Sequence, residues 1–167
     1  MAKRALIELL RGQGAHAGPV ACVEDVSAEM AARLIAGFPH SLGAQVFHMN
    51  YWMDYELRRV RGLKPKYPEH NAESFPAATC PADAREWDAL RERFADLLSE
   101  YAALAKSSPQ ELDRQIESVH EGDKKVASAL RDVIAQMVAH NSYHVGQIAM
   151  QRRVLGIWPP RAGGDTW

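Results

Sequence analysis

Residues 126–155 read VASALRDVIAQMVAHNSYHVGQIAMQRRVL, and alternating steps of three and four pick out Val126, Leu130, Val133, Met137, His140, His144, Ile148, Gln151 and Leu155. Apolar residues at that spacing predict one long amphipathic helix, opening after Gly122 and Asp123 and ending near Gly156. Two histidines interrupt the apolar seam at core positions. Side chains four apart on a helix lean the same way, so two imidazoles there can converge on one ion. Spacing alone leaves two readings open, because paired histidines also occur on solvated faces.

The next stretch to weigh is PHSLGAQVFHMNYWMDYEL, residues 39–57. Ser41 follows Pro39 as a helix cap, and the predicted helix runs to about Arg61, where Gly62 and Pro65 stop it. Its inward stripe reads Ser41, Ala44 or Gln45, His48, Tyr51 or Trp52, and Tyr55, which puts a third imidazole mid-helix on a core face. Gln147 lies one turn after His144, and Gln151 lies two. A polar layer at one level of a small bundle is costly unless each group is paired, wetted or metal-bound. A divalent metal on His48, His140 and His144 satisfies all three, since imidazole is a common ligand for zinc, nickel, copper and iron. The competing account is a hydrogen-bonded core network without metal. Gln45, Tyr55 and Gln147 become candidates for contacts around the ligands or with substrate, selected by helical phase.

The rest of the chain fits around these two helices as an all-α four-helix bundle, one domain over residues 1–167, with short extra helices in the connections. A first helical stretch from about Lys3 towards Glu24 is interrupted by Gly12, Gly14, Gly18 and Pro19, so it is one kinked piece or two. Ser27 caps a short helix, SAEMAARLIAG. Residues 62–81 hold four prolines and no periodicity, which predicts a long surface connection of the kind that often borders sites. Asp83 caps a third helix towards Ser107, with Trp87, Leu90, Phe94, Leu97, Leu98, Tyr101 and Leu104 as its stripe. Ser108 and Pro109 open a short segment before the last helix. No alternating run is long enough to predict a strand.

Composition excludes several classes. Twenty basic and 21 acidic side chains nearly cancel, so neither nucleic acid nor an anionic membrane is an expected partner. Two cysteines in no CxxC spacing, Cys22 and Cys80, argue against a disulfide framework or a cysteine zinc site and suit a reducing cytoplasm. The opening MAKRALIELLRGQG lacks the apolar run and cleavage site of a leader. In HNSYH, Asn141 stands where HExxH has its glutamate, which excludes a zincin. One ExxH, Glu117 to His120, does not make a di-iron carboxylate bundle. His16, His40 and His70 fall near predicted ends or loops and read as surface or capping residues. Trp52, Trp87, Trp158 and Tyr143 read as packing.

The two histidine stretches, PHSLGAQVFHMNYWMDYEL and HNSYHVGQIAMQRRVLGIWPP, resemble the DinB family (DinB/YfiT-like) in order and separation. That resemblance implies a four-helix bundle, often dimeric, with a histidine triad falling on His48, His140 and His144 and usually holding nickel or zinc. It also implies low-molecular-weight thiol chemistry, since characterised relatives transfer or isomerise with bacillithiol or mycothiol. The expectation is therefore a metalloenzyme with one divalent transition metal, zinc or nickel, and an open coordination position. A small thiol bound there would attack a small electrophile. A metal-dependent hydrolase, or a non-catalytic metal-binding stress-response bundle, are the alternatives. Ordinary histidine acidity would then set metal loss at about pH 5 to 7.

Overall fold

The computed structural model describes residues 3–117 and 127–163. Its helices are α1 (Lys3–Leu10), α2 (Ala21–Glu24), α3 (Ala28–Ala32), α4 (Leu42–Val60), α5 (Ala84–Leu104), α6 (Pro109–Leu112) and α7 (Leu130–Val154). Two short strands, β1 (Gln115–Ile116) and β2 (Ser128–Ala129), pair antiparallel. The bundle is built from four helices in a closed ring of contacts: α1 touches α5 and α7, and α4 touches the same two from the other side. Leu6, Leu42, Met49, Phe94, Leu97 and Ile134 meet in the core, each at most 1% exposed, and this burial is the main source of stability.

The long helices form where the caps predict. Ser41 Oγ accepts from Ala44 N at 3.2 Å, and Asp83 Oδ1 accepts from Glu86 N at 2.8 Å. Gly62 ends α4 in the left-handed conformation, φ +78°, which glycine adopts without a Cβ penalty. The first helical stretch is two pieces, α1 and α2, as the glycines allow. The helix capped by Ser27 stops at Ala32, earlier than its sequence suggests, and α5 stops at Leu104 rather than near Ser107.

The start of α7 differs more. The helix begins at Leu130, not after Asp123, because Ser128 and Ala129 are extended and paired to Ile116 and Gln115. No side chain caps it; Leu130 N instead donates to Arg114 O at 2.9 Å. At Ser128 and Ala129 the strand pairing thus replaces the predicted start of this helix, and Arg114 O takes up its first free backbone donor. His120, Gly122, Asp123 and Val126 lie outside the described residues.

The end of the long connection is held against the start of α4. Ser41 Oγ, besides capping α4, donates to Cys80 O at 2.9 Å, and Gly43 in the first turn lies directly under Cys80 and Pro81. A Cβ at Gly43 would stand 2.6 Å from Cys80 O and closer still to the Pro81 ring. Gly43→Ala should therefore destabilise the fold by about 1–3 kcal/mol, the usual cost of overpacking. Chemical denaturation checks this, and a loss near zero would mean that the connection moves aside freely.

Candidate metal centre

Mid-α4 and mid-α7 face each other at the heart of the bundle, and three imidazoles meet there. One ring nitrogen from each of His48, His140 and His144 lies within 4.8 Å of the other two. His48 Nε2 and His140 Nε2 are 3.2 Å apart. The ring centroids stand 5.1 Å (His48 to His140), 4.8 Å (His48 to His144) and 4.7 Å (His140 to His144) apart. His48 and His144 are buried and His140 is half-buried. The inward seam of α7 and the inward stripe of α4 thus converge as their helical phase requires.

The hydrogen bonds behind the rings settle where the protons sit. Ser74 Oγ donates its one proton to Asn71 O at 2.5 Å, so towards His48 Nδ1, 2.9 Å away, it can only accept. His48 therefore carries its proton on Nδ1 and leaves the Nε2 lone pair facing the other rings. His144 Nδ1 lies 3.0 Å from Gln147 Oε1, also an acceptor. His140 Nδ1 has a longer contact, 3.4 Å, with Asn141 Oδ1, whose amide nitrogen donates to Met53 Sδ at 3.2 Å. Each ring thus has an oxygen acceptor within reach of its Nδ1.

With the protons on Nδ1, the Nε2 atoms can only accept, which makes a poor hydrogen-bonded network and a good donor set for a cation. Nitrogens on one tetrahedral zinc stand about 3.3 Å apart, close to the His48–His140 separation. The residues present therefore fit a divalent metal, and neutral imidazole is the form that ligates. Burial, and then the neighbouring imidazoles, push His48 down to about 3 and His144 down to about 4; burial also lowers His140. The triad is neutral across the physiological range.

Aromatic rings wall the site. Phe75 stacks on His48 at 4.0 Å and, on its other face, on His40 at 3.7 Å, both within 9° of parallel. Trp52 turns its edge to His48, and Tyr143 meets His144 at 5.1 Å. His40, which the sequence places at the surface, is in fact half-buried in this wall because the connection after α4 folds back over it. Tyr143 corrects the packing assignment in the opposite sense: it is 66% exposed. His16 bonds Ser142 and Ala17 O, His70 caps the short 3-10 turn Asn71–Ser74, and neither joins the triad.

Of the other predicted residues, Gln147 bonds the His144 ring. Gln45 is buried one turn before His48, with its Oε1 lacking a partner, and Tyr55 is buried with its hydroxyl in the same condition. Tyr55 packs among Trp52 and Tyr67, and Trp52 links that cluster to His48. Ser74, Phe75 and Asn141 were not marked by the sequence. The aperiodic connection hinted at a site border, but nothing in its residues singles out Ser74.

An all-α bundle in which three imidazoles converge defines a class of helical proteins with a histidine group that could hold a metal ion. A family model of the DinB superfamily matches residues 14–148, and the chain belongs to that superfamily. No curated protein matches the chain.

Proposed function

We propose that the protein is a metal-dependent enzyme that joins a low-molecular-weight thiol to a small electrophile, with His48, His140 and His144 holding one zinc or nickel ion. The observation that carries this reading is the convergence of three imidazoles, two buried and one half-buried, with one ring nitrogen of each within 4.8 Å of the other two. Three protein ligands are the pattern of catalytic rather than structural sites. A divalent ion there supplies Lewis acidity, easing loss of a proton from a thiol or a water in the remaining position.

The chain's own residues do the positioning. Ser74 and Gln147 hold two of the rings by their Nδ1 protons, which keeps the ligating face forward. Phe75 and Trp52 exclude water from the His48 side and offer apolar surface to a substrate. Cys22 and Cys80 are both buried and free, with their thiols pushed up to about 11 by burial, so they do not compete as nucleophiles. We place the protein in a reducing compartment, where small thiols are plentiful; among the described residues no helix is long and apolar enough to cross a membrane.

Cobalt substitution tests the proposal. A small thiol should shift the visible spectrum of the cobalt-loaded protein and leave a His144→Ala sample unchanged. If no cellular thiol perturbs the spectrum while the metal-free protein stays folded, hydrolysis becomes the better reading; if metal removal unfolds the chain, the metal is structural. The supporting shell can be tested separately. Ser74→Ala leaves the His48 Nδ1 proton without its acceptor and should weaken metal binding about 10–100-fold. Competition with a chromophoric chelator measures this, and an unchanged affinity would show that Ser74 does not orient the ring.

A further inference from the structure

Away from the histidines, a groove runs along α5. One side of it is formed by Ala95, Leu98, Ser99, Ala102, Ala103 and Lys106, a pattern that places them on one face of the helix and just past its end, over about 16 Å. The other side is the end of α1 and the connection into α2, with Leu10, Arg11, Pro19 and Val20. The space between them is about 400 Å³, a volume in the range of small-molecule sites. Leu10 and Leu98 are 4% and 8% exposed and Val20 is 40% exposed, so the two leucines lie at the bottom and the valine at the lip. None of these residues belongs to α4 or α7, the helices that carry the three histidines.

Two features of the lining say what would occupy it. The first is shape: Ala95, Ala102 and Ala103 are too short to close the gap to the connection, which leaves an elongated apolar trough instead of a packed seam. The second is charge. Arg11 and Lys106 both line the groove and no acidic residue does. The acids one turn away in sequence turn to other cations: Glu8 pairs with Arg4 at 2.6 Å, and Glu100 pairs with Arg61 and Arg93.

We propose that this groove binds a small anionic amphiphile, a single-chain carboxylate whose apolar body lies along α5 over Leu98 and Leu10 and whose head meets Arg11. Burial of the chain against leucine and alanine supplies most of the affinity. The arginine fork suits a carboxylate, which can accept two parallel N–H bonds from it. Lys106 adds a second positive charge to the same lining, while its aliphatic stem extends the apolar wall. A cationic amphiphile of equal length meets like charge and is refused.

Calorimetric titration of the zinc-loaded full chain with decanoate tests the assignment. Decanoate should bind saturably, one molecule per chain, and decyltrimethylammonium should not bind. Decanol, which lacks the charge, should bind about tenfold more weakly, in keeping with the net worth of a hydrogen bond to a charged group. Arg11→Gln should weaken decanoate by a similar factor and leave decanol unchanged. Ala103→Trp, at an exposed position, should fill the groove and abolish binding of both while leaving the helical circular dichroism intact. His144→Ala should bind decanoate as the wild type does, which separates this site from a carboxylate held on the metal. Absence of saturable binding, equal affinity for decanol and decanoate, indifference to Arg11→Gln, or loss of binding in His144→Ala would overturn the inference. So would a dimer that Ala103→Trp dissociates, since a second copy of the chain would then be the occupant.

Discussion

His144→Ala should reduce bound metal from about one ion per chain to a trace, because a site that has lost one of three ligands is incomplete. His48→Ala and His140→Ala should do the same, and metal analysis after dialysis reads all three. Normal metal content in any of them would remove that residue from the site. The acid limb of the wild type provides an independent check. Burial depresses all three imidazoles, and neighbouring imidazoles add to it at His48, pushed down to about 3, and at His144, pushed down to about 4, against an ordinary 6.5. Protons therefore compete weakly for the ligand nitrogens, and metal should be retained through pH 6 and 5 and released only as pH approaches 4. This is lower than the range of about 5 to 7 that ordinary histidine acidity sets. The sign for stability follows from the same depression: the unfolded chain binds protons at 6.5 that the folded chain refuses. The stability these groups contribute is fully present above 6.5 and is lost as pH falls towards their folded values. Half-release of metal near pH 6.5 would mean that the imidazoles titrate as exposed groups.

What the sequence discloses and what it hides divide along a physical line. Ser41, Asp83 and Gly62 act through bonds and torsions within a few residues, so the ends they set on α4 and α5 are legible without a structure. His48, His140 and His144 are legible too, because helical phase fixes which face they share and a polar group on a core face demands an explanation. The start of α7 is not. Residues 127–129, Ala-Ser-Ala, are compatible with helix, and what makes Ser128 and Ala129 extended is pairing with Gln115 and Ile116, which no local pattern announces. Ser74, Phe75 and His40 are hidden for the same reason: their roles arise only when a proline-rich connection folds back over α4. The polar core layer was expected from Gln147 and Gln151. Gln147 does orient His144, whereas Gln151 donates to His40 O at 2.6 Å and pins the entry to α4 instead.

Arg152→Met should lower stability by about 1–3 kcal/mol, the cost of leaving buried hydrogen-bonding groups without a partner. In a sequence, an arginine near the end of a helix reads as a solvated group, yet Arg152 has no exposed surface at all. Its guanidinium donates to Asp25 Oδ1 at 2.7 Å, Cys22 O at 3.0 Å and Ile157 O at 2.7 Å. It thereby ties the C-terminal end of α7 to α2 and to the chain beyond the helix. Methionine nearly fills the space but leaves the carbonyls of Cys22 and Ile157 without this donor and the Asp25 carboxylate with one donor fewer. Burial alone would raise the Asp25 carboxyl, but the bonds from Arg152 and Arg161 N outweigh it and hold the group below its ordinary 3.8. That contribution is present above pH 3.8 and fades as pH falls through the folded value, so the gap between wild type and Arg152→Met should narrow in acid. Urea denaturation at neutral and acid pH measures both quantities, and the double variant Asp25→Asn with Arg152→Met should cost less than the sum of the two single changes. A neutral-pH loss below about 1 kcal/mol would show that the guanidinium is satisfied at no net benefit to the fold, as buried ion pairs sometimes are. Because α7 also carries His140 and His144, a loss of the expected size should appear in metal affinity only at temperatures where the C-terminal end of the helix begins to open.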